Sequence, residues 1–190
     1  AAGDAGGSLG AALAFWYQEL GNKRNPSLNH DEMKGSYLGP SFDDSQVENT
    51  LKSLNAKYTK QNEENLISLI ANELKNGKII GWFQGRMEFG PRALGARSIL
   101  GDARSAEMQK NLNLKVKYRE SFRPFAPSVL REDVSDWFNL NIDSPYMLLV
   151  SNVQQKFCKE MTEEEKNLFG IDKLNIKRFM PTFTYFNNNI

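Results

Sequence analysis

Apolar residues recur at helical spacing in several stretches and cluster into strand-length runs between them. Leu66, Ile67, Ile70 and Leu74 fall on one face at 3.6-residue periodicity and predict an amphipathic helix over Glu63–Lys75, closed by Asn76-Gly77. Lys78–Gln84 follows as a nearly unbroken apolar run, the pattern of a buried strand. Upstream, Val47, Leu51 and Leu54 predict a helix capped by Ser41 or Asp43, and Leu9–Leu20 predicts an apolar helix. Downstream, Arg97–Leu100 reads as a short strand and Ala106–Leu114 as a helix capped by Ser105. Phe125–Leu130 reads as a strand interrupted by prolines, and Glu132–Phe138 as a short helix turning Val134, Trp137 and Phe138 inward. Pro145–Val153 completes the strand set. Thr162 with Glu165 forms a capping box for a helix to Phe169. Helices alternating with strands predict an α/β fold.

Charge changes that picture at one place. The 190 residues carry 24 Lys and Arg against 23 Asp and Glu, a net charge of +1. Within Gln84–Arg123, however, nine basic residues face only four acids (Glu88, Asp102, Glu107, Glu120), a local net of +5. Those cations sit among glycines that let a ligand approach the backbone, which is the composition of a phosphate-handling surface. The single cysteine, Cys158, forms no internal disulfide and suits a reducing compartment, and His30 in a polar loop is assigned no role. One histidine and one cysteine exclude an all-nitrogen and sulfur zinc site from this chain alone. No apolar run reaches the roughly 20 residues of a membrane span, and the apolar start lacks a basic leader. A soluble cytoplasmic location without a membrane partner is expected.

Within the basic stretch, Arg92 follows Gly90-Pro91 and precedes Ala93-Leu94-Gly95, a stiffened turn offering a planar fork to phosphate or carboxylate. If Lys115–Arg119 is extended, Lys115, Lys117 and Arg119 point to one face; Arg123, before Pro124, is biased toward extended geometry. Arg92, Lys117 and Arg123 lining one anion pocket would suit a polyphosphate. The competing structural reading is a solvated basic face paired to Glu88 and Glu120. At the chain start, Gly3, Gly6, Gly7 and Gly10 before a helix free backbone amides for an anion, with Asp4 able to bind a metal or hydroxyl. A tight turn for close helix contact explains them equally.

GWFQGRMEFGPRALGARSILGDAR together with NLKVKYRESFRPFAPSVL closely resembles the C-terminal half of the NodU/CmcH-type carbamoyltransferases. GDAGGSLGAAL resembles the last nucleotide-site turn of that family's actin/hexokinase-like transfer domain, and Tyr37-Leu38-Gly39-Pro40 its interdomain motif. The resemblance covers roughly residues 1–150 and is most specific over 84–128. It implies a YrdC-like twisted mixed sheet with flanking helices over 61–190, apparently truncated, behind a helical remnant of the transfer domain and linker at 1–60. It implies a two-step reaction: carbamoyl phosphate and ATP give carbamoyl-adenylate, and the carbamoyl group then passes to a hydroxyl. Arg92, Lys117 and Arg123 are the implied catalytic residues. Arg86, Glu88, Gly90, Lys115 and Arg119 are the implied substrate and nucleotide contacts, with Glu88 as an orienter of Arg92. Asp4 matches a metal-binding aspartate whose partner ligands would lie upstream of residue 1.

ATP with Mg2+ is the implied cofactor, with a divalent, iron-like metal at the transfer domain. The implied partners are carbamoyl phosphate, a hydroxyl-bearing acceptor and a second copy of the chain. After about residue 175 the resemblance stops at the uncharged FMPTFTYFNNNI, as in a fragment or an aberrant C-terminus. The alternatives are a non-catalytic nucleotide- or RNA-binding YrdC-like module, which the near-neutral total charge disfavours for RNA, and an inactive fragment.

Overall fold

A computed structural model describes residues 3–27, 31–158, 160–170 and 172. His30 and the FMPTFTYFNNNI end lie outside the described residues. The fold is a mixed α/β arrangement of short helices and one two-stranded antiparallel sheet. Helix α1 spans Asp4–Ala14, α2 Asp44–Ser53 and α3 Glu63–Lys75. Strand β1 (Ile80–Phe83) pairs with β2 (Arg97–Leu100). Helices α4 (Met108–Asn111), α5 (Val134–Trp137) and α6 (Glu163–Asn167) come after the sheet.

Several sequence expectations hold to the residue. Helix α3 has the predicted bounds, although Ile67 is exposed and Leu66, Ile70 and Leu74 form the covered side. Asp43 caps α2 in a full capping box with Gln46, and Thr162 caps α6 with Glu165 in the same way. Others do not. The first helix starts at Asp4, so Gly6, Gly7 and Gly10 lie inside it; the amides from Gly7 onward are consumed by the helix, and only Gly6, in the first turn, keeps an N–H without an intrahelical acceptor. Ser105 makes no cap; α4 begins after Glu107. Phe125–Leu130 and Pro145–Val153 form no strands, and only the isolated bridge Phe138–Val153 remains of the latter. Pro124 and Pro127 deny the first of these two ladder donors. Strand β1 alternates half-buried and exposed residues instead of being buried throughout.

The chain divides into two compact units, one comprising Ala1–Asn72, Gly81–Ile99 and Pro145–Leu148, the other Glu73–Ile80, Leu100–Ser144 and Leu149–Ile190. In the first unit the buried residues are Glu88, Leu94 and Ala96, within the loop between β1 and β2, and Ser36, whose carbonyl accepts from the Phe89 amide of that loop. In the second, Met108 and Leu112, one helical turn apart, are buried together with Asn113 and Val134.

Candidate functional site

The loop between β1 and β2 contains the Gly-Pro-Arg turn, and three interactions fix its base. The sheet pairing extends past β1 through the Gln84 amide, which donates to the Ala96 carbonyl at 2.9 Å. Arg97 then closes the loop's neck: its Nη1 donates to the carbonyls of Gln84 (3.0 Å), Gly85 (3.2 Å) and Ala96 (2.8 Å). Its guanidinium stacks 3.4 Å from the centre of the Phe83 ring, a cation–π contact on an otherwise exposed aromatic. Arg97 is therefore committed to structure.

Alongside the loop runs the Tyr37-Leu38-Gly39-Pro40 segment. The Phe89 amide donates to the Ser36 carbonyl (2.6 Å), Gly39 to Met87 (2.9 Å) and Met87 to Pro40 (2.9 Å), an antiparallel pairing in all but length. Gly39 is required for that approach, because a Cβ there would stand 2.9 Å from the Met87 carbonyl oxygen. Arg86 Nη1 donates to the Gly39 carbonyl at 2.7 Å, so Arg86 ties down this segment.

Glu88 occupies the interior of the loop with 4% of its surface exposed. One carboxylate oxygen accepts from the amides of Leu94 (2.8 Å), Ala96 (2.8 Å) and Arg97 (3.2 Å). Burial is the largest single influence on its acidity and raises its pKa. The amides of Leu94, Glu88 itself, Ala96 and Arg97 together outweigh that and hold the carboxyl below the usual glutamate range. Tyr37 completes the clamp by donating its hydroxyl to the Leu94 carbonyl at 2.5 Å. Burial first, and the Glu88 charge second, push the Tyr37 phenol upward, so it stays a donor.

Arg92 stands above this base, exposed, with no hydrogen bond or ion pair to a described residue. Gly90 and Gly95 on either side adopt φ of 107° and 120°, values that residues with a Cβ rarely take. Asp4 is also in the first unit, exposed in the first turn of α1. Among the described residues no three His, Cys, Asp or Glu side chains gather to hold a metal ion.

The remaining expected cations belong to the second unit, and their geometry differs from the extended strand expected. Leu112–Lys117 continues α4 as a wider π-type turn, and Tyr118 ends it in a left-handed conformation with φ of 50°. The helix continues because Leu112, one turn after Met108, is buried with it. Lys115 and Lys117, two apart on a helical turn, therefore do not share one face. Asn113, fully buried, fixes the chain beyond that turn. Its Nδ2 donates to the carbonyls of Ser121 (3.0 Å) and Arg123 (2.8 Å), and its Oδ1 accepts from Arg119 Nε at 2.6 Å. Arg119 also lies 4.7 Å over the Phe125 ring. Arg123 is paired with Glu120 at 2.7 Å, both half exposed. The Glu120 backbone amide first, then Arg123, keep that carboxyl below its usual range.

The nine cations thus separate by what already holds them. Arg86, Arg97, Arg104, Arg119 and Arg123 have partners, Arg104 in a two-pronged contact with Asp102. Arg92, Lys110, Lys115 and Lys117 have none among the described residues. Sequence reasoning missed Tyr37 and Asn113. An asparagine inside the Leu112-to-Leu114 apolar register was the available signal for the second, whereas Tyr37 showed only as part of the segment resembling the interdomain motif.

The pattern of the family described as carbamoyltransferase C-terminus matches residues 71–167, which contain both loops. An uncharacterized protein of Synechocystis sp. is 53% identical over 192 residues, covering 100% of this chain and 31% of its own length. The nodulation protein NolO of Bradyrhizobium diazoefficiens is 43% identical over 159 residues, covering 82% and 28%. A 3'-hydroxymethylcephem-O-carbamoyltransferase of Streptomyces clavuligerus is 40% identical over 87 residues, covering 46% and 16%. The chain spans less than a third of the length of these curated relatives. With half of its residues on the family pattern, this chain belongs to the carbamoyltransferase C-terminal family.

Proposed function

We propose that the chain is the carbamoyl-phosphate- and ATP-using part of an O-carbamoyltransferase, with a YrdC-like fold behind the end of an actin/hexokinase-like transfer domain. In the proposed reaction water releases phosphate from carbamoyl phosphate, and the carbamate oxygen attacks the α-phosphorus of ATP while pyrophosphate leaves. An acceptor hydroxyl then takes the carbamoyl carbon and AMP departs. Every step moves negative charge between oxygens, so catalysis needs fixed cations and open approach more than covalent help. Arg92 supplies a planar fork suited to two phosphoryl oxygens, and Lys117 a compact charge on a flexible stem. Arg123 becomes available by leaving Glu120, an exposed pair that holds it only weakly. Arg86 serves by holding the Gly39 backbone in place, and Arg119 by bonding the Asn113 side chain.

One observation carries this reading: Arg92 is exposed and unpaired on a glycine-flanked turn whose base a buried carboxylate fixes, inside the region matching the family. The test is carbamoyl-phosphate-dependent release of pyrophosphate from ATP and Mg2+ by the full-length protein. Release is expected only when both substrates are present. Wild-type turnover in Lys117→Ala would remove Lys117 from the mechanism.

A further inference from the structure

We infer that Glu88 and Tyr37 are positioning residues for Arg92, acting through the Leu94 peptide groups rather than by touching Arg92 or substrate. The inference rests on the reading of Arg92 as a phosphate ligand. Leu94 lies two residues beyond Arg92, and side chains hold both of its backbone polar groups. Its N–H donates to the Glu88 carboxylate at 2.8 Å, and its carbonyl accepts the Tyr37 hydroxyl at 2.5 Å. Two further amides, Ala96 and Arg97, converge on the same Glu88 oxygen. The Leu94 side chain itself is buried, with 6% exposed.

Such anchoring is unusual for a surface turn. Gly90 to Ala93 are all exposed and Phe89 keeps 39% of its surface exposed, so little burial stabilises them. A carboxylate taken out of water costs free energy unless its hydrogen bonds compensate, and Glu88 directs three of them to fixing this backbone. Holding the two successive peptide groups that flank the Leu94 Cα restricts the torsions leading back through Ala93 to Arg92. A guanidinium fork binds a tetrahedral oxyanion well only in a narrow range of orientations, so rigidity there reduces the ordering required when the ligand arrives. Tyr37 belongs to the separate segment pairing with Met87 and Phe89, so the clamp joins two distant parts of the sequence to one turn.

The experiment is a double-mutant cycle in the full-length protein, reading KM for carbamoyl phosphate in the pyrophosphate-release assay. Glu88→Gln keeps the shape and one accepting oxygen but loses the charge, and KM is expected to rise about tenfold. Tyr37→Phe removes one hydroxyl, with about a threefold rise expected. In an Arg92→Ala background, whose own KM is raised, neither substitution is expected to raise KM further. A purely structural role would add the same increment in either background. That additive result, or an unchanged KM in both single variants, overturns the inference while leaving Arg92 as a ligand. An unchanged KM in Arg92→Ala overturns the phosphate reading itself, and the inference falls with it. Should Glu88→Gln fail to fold, Tyr37→Phe carries the cycle alone.

Discussion

The Arg92 loop and the Lys115–Arg123 segment solve one problem with opposite chemistry. Each is an irregular, cation-bearing stretch without a ladder of its own, and each is organised around one buried polar side chain. In the first the organiser is a carboxylate, Glu88, which gathers backbone N–H groups. In the second it is a neutral amide, Asn113, which donates to two carbonyls and accepts one guanidinium. An amide satisfies donors and acceptors at once with no charge to desolvate, whereas a carboxylate gives stronger bonds but works only while ionised. The organiser of the first loop is therefore conditional on pH, and that of the second is not.

Substitution of the unpartnered cations should have the largest effect. Lys117→Ala is expected to lower kcat/KM for carbamoyl phosphate by about 100-fold. Arg123→Ala should lower it less, by about tenfold, because Arg123 must first leave Glu120. Equal losses in the steady-state assay would erase the distinction between partnered and free cations. Next comes the neutral organiser. Asn113→Ala takes a donor from two part-buried carbonyls, of which that of Arg123 keeps Gln109 Nε2 at 3.1 Å, and an acceptor from the Arg119 Nε, and should destabilise the fold by about 1–3 kcal/mol. Urea titration should show a lower midpoint at unchanged slope.

The charged organiser is separated from the neutral one by acid. Glu88 has a folded-state pKa below its unfolded one, so the unfolded chain binds more protons in that window. Its stabilisation is complete above the usual glutamate pKa and is lost as pH falls through the depressed folded value. Urea midpoints measured across that range should decline in the wild type and decline less in Glu88→Gln, while Asn113→Ala keeps the full slope. The smallest effect belongs to Tyr118, exposed and left-handed at φ of 50°. Tyr118→Asn should stabilise by up to about 1 kcal/mol, visible as a small rise in the thermal midpoint.

Elements built on local periodicity were legible in the sequence: α3, the β1 and β2 cores and the caps at Asp43 and Thr162 all arise from neighbouring residues. The basic stretch was legible as composition, and Arg92 on its glycine-flanked turn was legible as a motif. What could not be read was direction. Lys-Val-Lys-Tyr-Arg alternates with the period of a strand, yet Lys115, Val116 and Lys117 continue a helix that Tyr118 ends, because burial of Met108 with Leu112 outweighs local alternation. Glu88 lies between Met87 and Phe89, both exposed, which is the inverse of the usual pattern for an acid between apolar neighbours. Only the convergence of three amides from residues six to nine positions later makes its burial tolerable. No periodic pattern of apolar and polar positions encodes that convergence.

The hydroxyl of Tyr37 reaches a carbonyl 57 positions further along the chain. During synthesis the Ser36–Pro40 segment leaves the ribosome long before Met87, Phe89 or Leu94 exists to pair with it. It must wait as an unpaired edge while α2 and α3, whose contacts are local, can already form. The Arg92 turn is then among the late structures of its unit, completed only when a long chain closure has been made. Slow elongation once Arg97 has emerged from the ribosome would favour that closure, whereas a stall with Leu94 still inside would leave the edge exposed to other chains.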